Sequence, residues 1–147
     1  MELATQNLII RSFHFPEDYD EVYALWENAG SGIHLRVSDE LEEIRKKIER
    51  DPNLFLIAQT EDSIIGTVLG GFDGRRGMMY HLAVSKAYRR KGIASLLVDA
   101  LEEKLKDKGC IRYYLLVTKD NKEAINFYQK RGWENMDDLR IFAKNLN

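Results

Sequence analysis

The stretch "YRRKGIASLL", residues 88–97, decides how the chain folds. Its apolar residues start a pattern with helical spacing that continues to about residue 108 and predicts a long helix. The segment before it, "MMYHLAV" (78–84), and the segment after it, "IRYYLLV" (111–117), both have the composition of strands. A strand, a helix and a second strand in this order are typical of a right-handed crossover, which makes the two strands parallel.

The rest of the chain predicts a mixed sheet around this crossover. Before it, one strand and two helices lead into three strands joined as an antiparallel meander, the last of which is 78–84. After it come a short helix and a terminal strand or strand pair. The fold class is therefore mixed α/β, and residues 1–147 are expected to form a single domain. The predicted elements outside the crossover are strand 7–13, helices 16–30 and 39–50 (capped by Ser38 or Asp39), strands 53–60 and 63–72, helix 121–132 and strand or strands 133–144.

Composition and charge exclude several classes of protein. The formal net charge of −2 is unlike that of a general nucleic-acid binder, whose affinity needs a broad excess of Lys and Arg. Cys110 is the only cysteine, so no internal disulfide and no cysteine metal site are possible, and no metal is expected. There is no pattern of a signal peptide or a membrane span. A cytoplasmic protein without a nucleic-acid or membrane partner is expected.

A cluster of positive charge stands where the long helix begins. Arg89, Arg90 and Lys91 come directly before Gly92. The first N–H groups of a helix lack internal partners and its dipole is positive there, while glycine lets a ligand approach the backbone. The pattern predicts a phosphate site. Neither G-x-x-x-x-G-K-[ST] nor G-x-G-x-x-G occurs, so the usual nucleotide-binding signatures are absent.

Two segments resemble the signatures of the GNAT superfamily of N-acetyltransferases. Residues 89–94, "RRKGIA", resemble its acetyl-CoA signature, Q/R-x-x-G-x-G/A. Residues 120–133, "DNKEAINFYQKRGW", resemble its second signature, N-x-x-A-x-x-F-Y-x-K-x-G-F/W. The element order is also similar, so the resemblance covers nearly the whole chain. The chain is most similar to small bacterial single-domain members related to the enzyme that acetylates the N-terminal alanine of a ribosomal protein.

The resemblance implies that acetyl-CoA is the cosubstrate, and it implies how the cosubstrate lies. A strand backbone pairs with the pantetheine arm, helix N–H groups hold the pyrophosphate, and the thioester lies in a gap where two central parallel strands splay. Which of the three basic side chains meets the nucleotide phosphates stays open. The residues implied in cofactor binding are Leu82, Ala83, Val84, Arg89, Arg90, Lys91, Gly92, Ile93, Ala94, Ser95 and Asn121.

Acetyl transfer to an amine makes demands on protons. An alkylammonium of ordinary pKa is only about 0.04% neutral at pH 7, so a base or a water relay should remove its proton. A backbone N–H can stabilise the charge that develops on the thioester oxygen. By resemblance, Tyr128 is the catalytic acid that returns a proton to the CoA thiolate.

The proton acceptor is not carried over from the resemblance. Many members have a glutamate at the position that aligns with Met78, and methionine cannot take a proton. His81 is on the same strand, but the alternation of side chains predicts that it points to the opposite face, so a structural histidine is favoured. His34 is read as a surface residue, although it lies in a loop that borders the acceptor site in this family. His14 has no predicted role.

The acceptor and the assembly are left open. The acidic segments 39–43 and 134–138 favour a small cationic amine, and a peptide or protein N-terminus remains an alternative. Because Met78 replaces the usual glutamate, a non-catalytic acyl-CoA-binding regulatory module is the alternative function. Both a monomer and a homodimer are compatible with the predicted fold.

Overall fold

A computed structural model describes residues 7–30 and 32–146. Within them, five strands form one sheet in the order of the chain, and four α-helices accompany it. The strands are β1 (Ile9–Ser12), β2 (Phe55–Thr60), β3 (Ser63–Phe72), β4 (Gly77–Val84) and β5 (Tyr113–Leu115). The helices are α1 (Tyr19–Glu27), α2 (Leu41–Arg50), α3 (Ile93–Asp107) and α4 (Lys122–Lys130).

The strand pairing confirms the predicted mixed sheet. β1 to β4 pair antiparallel, and β4 pairs with β5 in parallel through the crossover helix α3. The short connection between β2 and β3 is the predicted hairpin, with Glu61 in the left-handed region at φ 51°. Because β4 and β5 are parallel, their carboxyl ends face the same edge of the sheet.

The chain divides into two compact units between Leu116 and Val117. The first contains the five strands and helices α1 to α3, and the second contains α4 and the residues around it. The expectation of a single domain stays a prediction. No helix of the described residues has the length and apolarity that a membrane crossing requires.

The predicted terminal strand is wrong. Residues 133–144 of the second unit form turns and irregular chain, with no strand among them. Leu139, Ile141 and Phe142 are 60%, 67% and 92% exposed, so the apolar residues from 139 to 142 are not buried as those of a strand would be. A strand needs both a backbone partner and a buried face to be stable, and the acidic residues of 134–138 supply neither.

Two apolar layers cover the two faces of the sheet in the first unit. On one face, Trp26 of α1 and Ile44 of α2 pack with residues of β2 to β4 in a buried cluster. On the other face, α3 lies directly on β3, where a Cβ on Gly70 would come within 2.5 Å of Leu101 Cδ1. Gly66 makes room in the same way, since its Cβ would be 3.1 Å from Leu97 Cδ1. The two glycines let α3 approach the sheet closely.

Candidate active site

A bulge interrupts β4 before its end. Leu69 and Thr67 of β3 pair with Tyr80 and Ala83 of β4, so two steps along β3 lie opposite three steps along β4. The extra residue belongs to the bulge, and His81 there has a φ of 47°. A positive φ is uncommon for residues other than glycine, although histidine tolerates it better than most. The bulge therefore re-aims the side chains that follow it.

The two parallel strands separate next to this bulge. β5 pairs with β4 only from Gly77 to Met79, and it ends at Leu115. From Tyr80 to Val84, β4 has a paired strand on the β3 side alone among the described residues of the first unit. The expected splay of the central strands is thus present, and it leaves a short backbone edge of β4 without a neighbouring strand.

The segment between β4 and α3 carries backbone N–H groups that are candidate donors to an anion. Arg90 and Gly92 both have left-handed conformations, at φ 63° and φ 82°. The pattern of residues predicted that the helix begins at about Arg90, but it begins at Ile93. Alternating left- and right-handed residues of this kind direct successive N–H groups toward one point, which suits an anion.

The N-terminus of α3 has free donors. Its first internal hydrogen bond runs from Leu96 N–H to the Gly92 carbonyl at 3.1 Å, and no side chain caps the helix. The N–H groups of Ile93, Ala94 and Ser95 thus have no partner within the helix. No atom lies within 4 Å of the position that a Cβ on Gly92 would take. The donors and the open space together fit a phosphate group.

The three basic side chains of this loop differ in what they do. Arg89 donates from Nε to the Val84 carbonyl at 3.1 Å and from Nη2 to the Ala29 carbonyl at 2.9 Å. It therefore joins the end of β4 to the end of α1 and occupies the Val84 carbonyl. All three side chains are exposed, but the Arg89 guanidinium is already hydrogen-bonded to two carbonyls, so Arg90 and Lys91 are better placed to meet phosphates.

Tyr128 lies in the second unit, on α4. Its half-buried ring meets the rings of Phe127 and Trp133 edge to face, with centroids 5.3 and 5.6 Å away. Burial raises the pKa of its phenol to about 12. The phenol thus stays protonated at neutral pH and can act only as a proton donor there. Asn121 caps the same helix, since its Oδ1 accepts a hydrogen bond from Ala124 N–H at 3.2 Å.

The expected direction of His81 is wrong. Met78 pairs with Gly71, whose Cβ position lies 3.4 Å from Lys47 Nζ of α2, so Met78 lies on the α1–α2 face. His81 stacks edge-on against Trp26 of α1 at 4.9 Å and lies on that face too. The bulge adds one residue and reverses the simple alternation.

Asp39 is a part of this site that the sequence did not reveal. The predicted cap of α2, Ser38 or Asp39, is wrong, because Glu40 takes the N-cap position there. The Asp39 carboxylate is buried and contacts His81 Nε2 at 2.8 Å through Oδ1. The contact joins residues 42 positions apart, and no local pattern predicts such a pair. His14 and His34 are exposed.

Comparison with known proteins identifies the family and similar folds. The model of the acetyltransferase (GNAT) family matches residues 15–133. An acetyltransferase of Sodalis glossinidius is 38% identical over 131 residues, which are 88% of this chain and 90% of the relative. The structure of Ard1 from Thermoplasma volcanium is 26% identical with a TM-score of 0.75, covering 86% of this chain and 82% of that one. The coenzyme A complex of the PaiA N-acetyltransferase from Thermoplasma acidophilum has a TM-score of 0.72 at 23% identity, covering 86% and 89%.

Proposed function

The chain belongs to the GNAT family of acetyltransferases, with acetyl-CoA as its cosubstrate, and we propose that it acetylates the primary amine of a small cationic acceptor. The observation that carries the acetyl-CoA part of the proposal is the edge of β4 without a paired strand in the described residues of the first unit, directly before the backbone donors at 90–95. A strand edge and an anion loop in sequence fit a ligand with an amide-bearing arm and a pyrophosphate.

The proposed cofactor contacts follow from these two features. Leu82 and Ala83 would pair with the pantetheine amides. Val84 would do so through its backbone N–H, because its carbonyl already accepts a hydrogen bond from Arg89. The N–H groups from Gly92 to Ser95 would hold the pyrophosphate. We assign Arg89 to positioning this loop, and Arg90 and Lys91 to the phosphates.

The proposed chemistry is direct transfer without a covalent enzyme intermediate. The neutral amine attacks the thioester carbonyl, the C–N bond forms and the C–S bond breaks. A backbone N–H on the free edge of β4 would stabilise the oxyanion. Tyr128 would donate its proton to the departing thiolate, a role that its protonated state at neutral pH supports.

The charge of the two acidic segments, 39–43 and 134–138, bears on the class of acceptor. Of the acidic residues 39–43, Glu42 and Glu43 pair with Arg45 and Lys46 of the same helix, so this segment attracts a cation less than its composition suggests. Residues 134–138 carry three acidic side chains, all of them exposed. Their charge supports a cationic amine, with a peptide N-terminus as the second acceptor class.

Acetyl-CoA binding by calorimetry, followed by a thiol-release assay, tests the proposal. The assay would compare a panel of diamines and aminosugars with a panel of N-terminal peptides. Transfer to the small amines in preference to the peptides is the expected result. Transfer to peptides alone would overturn the acceptor class, and the absence of acetyl-CoA binding would overturn the site itself. The cytoplasmic location and the choice between monomer and homodimer stay predictions.

A further inference from the structure

His81 and Asp39 form a buried pair on the face of the sheet that α1 and α2 cover. Their side chains are 17% and 7% exposed, and Nε2 lies 2.8 Å from Oδ1. The imidazole also stacks edge-on against Trp26. A histidine held from two sides has one orientation, as a group that must transfer a proton at a fixed point requires.

The backbone conformation at this histidine is costly. His81 has φ 47°, a left-handed conformation that is uncommon for residues other than glycine. Strain of this kind persists where the surrounding structure enforces it, and it is frequent at functional sites. The bulge places the strained residue between Tyr80 and Leu82, at the point where β5 has just separated from β4. His81 therefore immediately precedes the strand edge proposed for the pantetheine arm.

The hydrogen bonds of Asp39 fix the tautomer of His81. The second carboxylate oxygen, Oδ2, accepts from Arg36 N–H at 3.1 Å, and the Asp39 carbonyl accepts from the Tyr19 hydroxyl at 2.8 Å. Because a carboxylate only accepts hydrogen bonds, His81 must donate from Nε2. Nδ1 then carries the lone pair, and this nitrogen is free to take a proton.

The other ionisable groups on this face do not compete for that proton. Burial raises the pKa of the Tyr19 and Tyr80 phenols, so both are neutral near pH 7. Lys47 of α2 is paired with Asp51 at 2.7 Å. Trp26, which α1 contributes to the contact, does not titrate.

We propose that His81, oriented by Asp39, is the base that takes the proton from the acceptor amine, in place of the carboxylate that Met78 lacks. The proposal rests on the proposed function. Nδ1 accepts one proton from the ammonium and releases it to solvent. The neutral amine then forms the C–N bond as the C–S bond breaks. The thiolate takes a proton from Tyr128, and the second amine proton restores that tyrosine. One proton is released overall, and no further reactant is needed.

Three variants test the proposal in the full chain. His81→Asn and His81→Gly both suit the left-handed backbone, so neither adds strain. Asp39→Asn keeps one acceptor oxygen for two donors, His81 and the Arg36 N–H. If its amide faces His81, the imidazole is forced into the tautomer without a lone pair on Nδ1. His14→Asn is the matched control, because His14 is exposed.

The measurements are acetyl-CoA affinity, kcat with the best amine of the panel between pH 5.5 and 9.5, and rescue by added imidazole. Both His81 variants are expected to lose about 100-fold or more in kcat. The acetyl-CoA affinity of both His81 variants should stay within about twofold of the wild-type affinity. The kcat of the control, His14→Asn, should stay within about twofold of the wild-type kcat. Imidazole should restore part of the activity of His81→Gly, and the pH profile of kcat in His81→Asn should differ from that of the wild type.

The outcomes separate this proposal from the proposed function. If His81→Asn transfers acetyl at the wild-type rate with the wild-type pH profile, the role of His81 is overturned and the transferase stands. If the wild type transfers acetyl to no amine, the proposed function falls, and the role of His81 falls with it. A loss of kcat in His81→Gly that imidazole does not restore, together with a lost acetyl-CoA affinity, would show a purely structural residue.

Discussion

Gly92 and Gly109 provide a matched pair for testing the anion loop. Both have left-handed backbones, at φ 82° and 90°, and at both positions a Cβ would meet no atom within 4 Å. An alanine at either position therefore adds conformational strain and no clash. The expected cost is about 1–2 kcal/mol of unfolding free energy for each. Gly92 stands at the start of α3, and Gly109 follows its end.

Glutamate at the two positions should separate binding from strain. Gly92→Glu places a carboxylate beside the N–H groups of Ile93, Ala94 and Ser95, where it competes with the pyrophosphate and repels it. A hydrogen bond to a charged group contributes about 1.5–3 kcal/mol. The loss of two such bonds therefore costs about 3–6 kcal/mol, which is a weakening of more than about 100-fold in Kd. Gly109→Glu carries the same charge and the same strain away from the loop.

Calorimetry with acetyl-CoA and denaturant unfolding check this prediction together. Gly92→Glu and Gly109→Glu should lose similar unfolding free energy, and only Gly92→Glu should lose acetyl-CoA affinity. If Gly92→Glu binds acetyl-CoA with the wild-type Kd, the loop at 90–95 does not hold the pyrophosphate. An equal loss of affinity in both variants would assign the effect to strain transmitted through α3.

Three other outcomes are expected. Gly70→Ala should lower the unfolding free energy by about 1–3 kcal/mol in urea, because its Cβ would lie 2.5 Å from a buried leucine of α3. Gly66→Ala should lower it less, and equal losses of unfolding free energy would contradict the close approach of the helix at Gly70. Tyr128→Phe should slow kcat more than it weakens acetyl-CoA binding, and absorbance at 295 nm should lose a phenol that titrates near pH 12. Burial opposes ionisation of Asp18, but the Arg11 guanidinium and a backbone N–H together hold the pKa of this carboxyl below its usual value. The ionised carboxylate therefore stabilises the folded protein above about pH 4, and this stabilisation is lost as the pH falls further. Arg11→Leu should therefore lower stability at pH 7 and flatten the fall of stability below pH 4 in acid unfolding.

The order of the elements could be predicted because each has a regular period. Runs of apolar, strand-forming residues on either side of a short connection predicted β2 and β3, and the spacing of three and four predicted α2 and α3. The basic cluster before a glycine predicted a phosphate site at the start of α3, and the left-handed residues there support that reasoning. Periodicity therefore reaches as far as the elements that carry the site.

Features at which the period breaks could not be predicted. The bulge at His81 depends on how β4 pairs with β3, and no residue of β4 alone encodes the extra position. The early end of β5 has the same cause, since "IRYYLLV" is strand-like throughout and only Tyr113–Leu115 pair. The terminal segment 133–144 shows the opposite error, because strand-like residues formed no strand without a partner and a buried face.

The candidate site lies where the bulge of β4 and the early end of β5 come together. β5 leaves β4 after Met79, and the bulge at His81 follows at once. A regular β4 would turn the side chain at position 81 away from α1, out of reach of Asp39, and a full-length β5 would cover the backbone edge proposed for the pantetheine arm. The strain at His81 is tolerated because Trp26 and Asp39 hold its side chain from the helical layer.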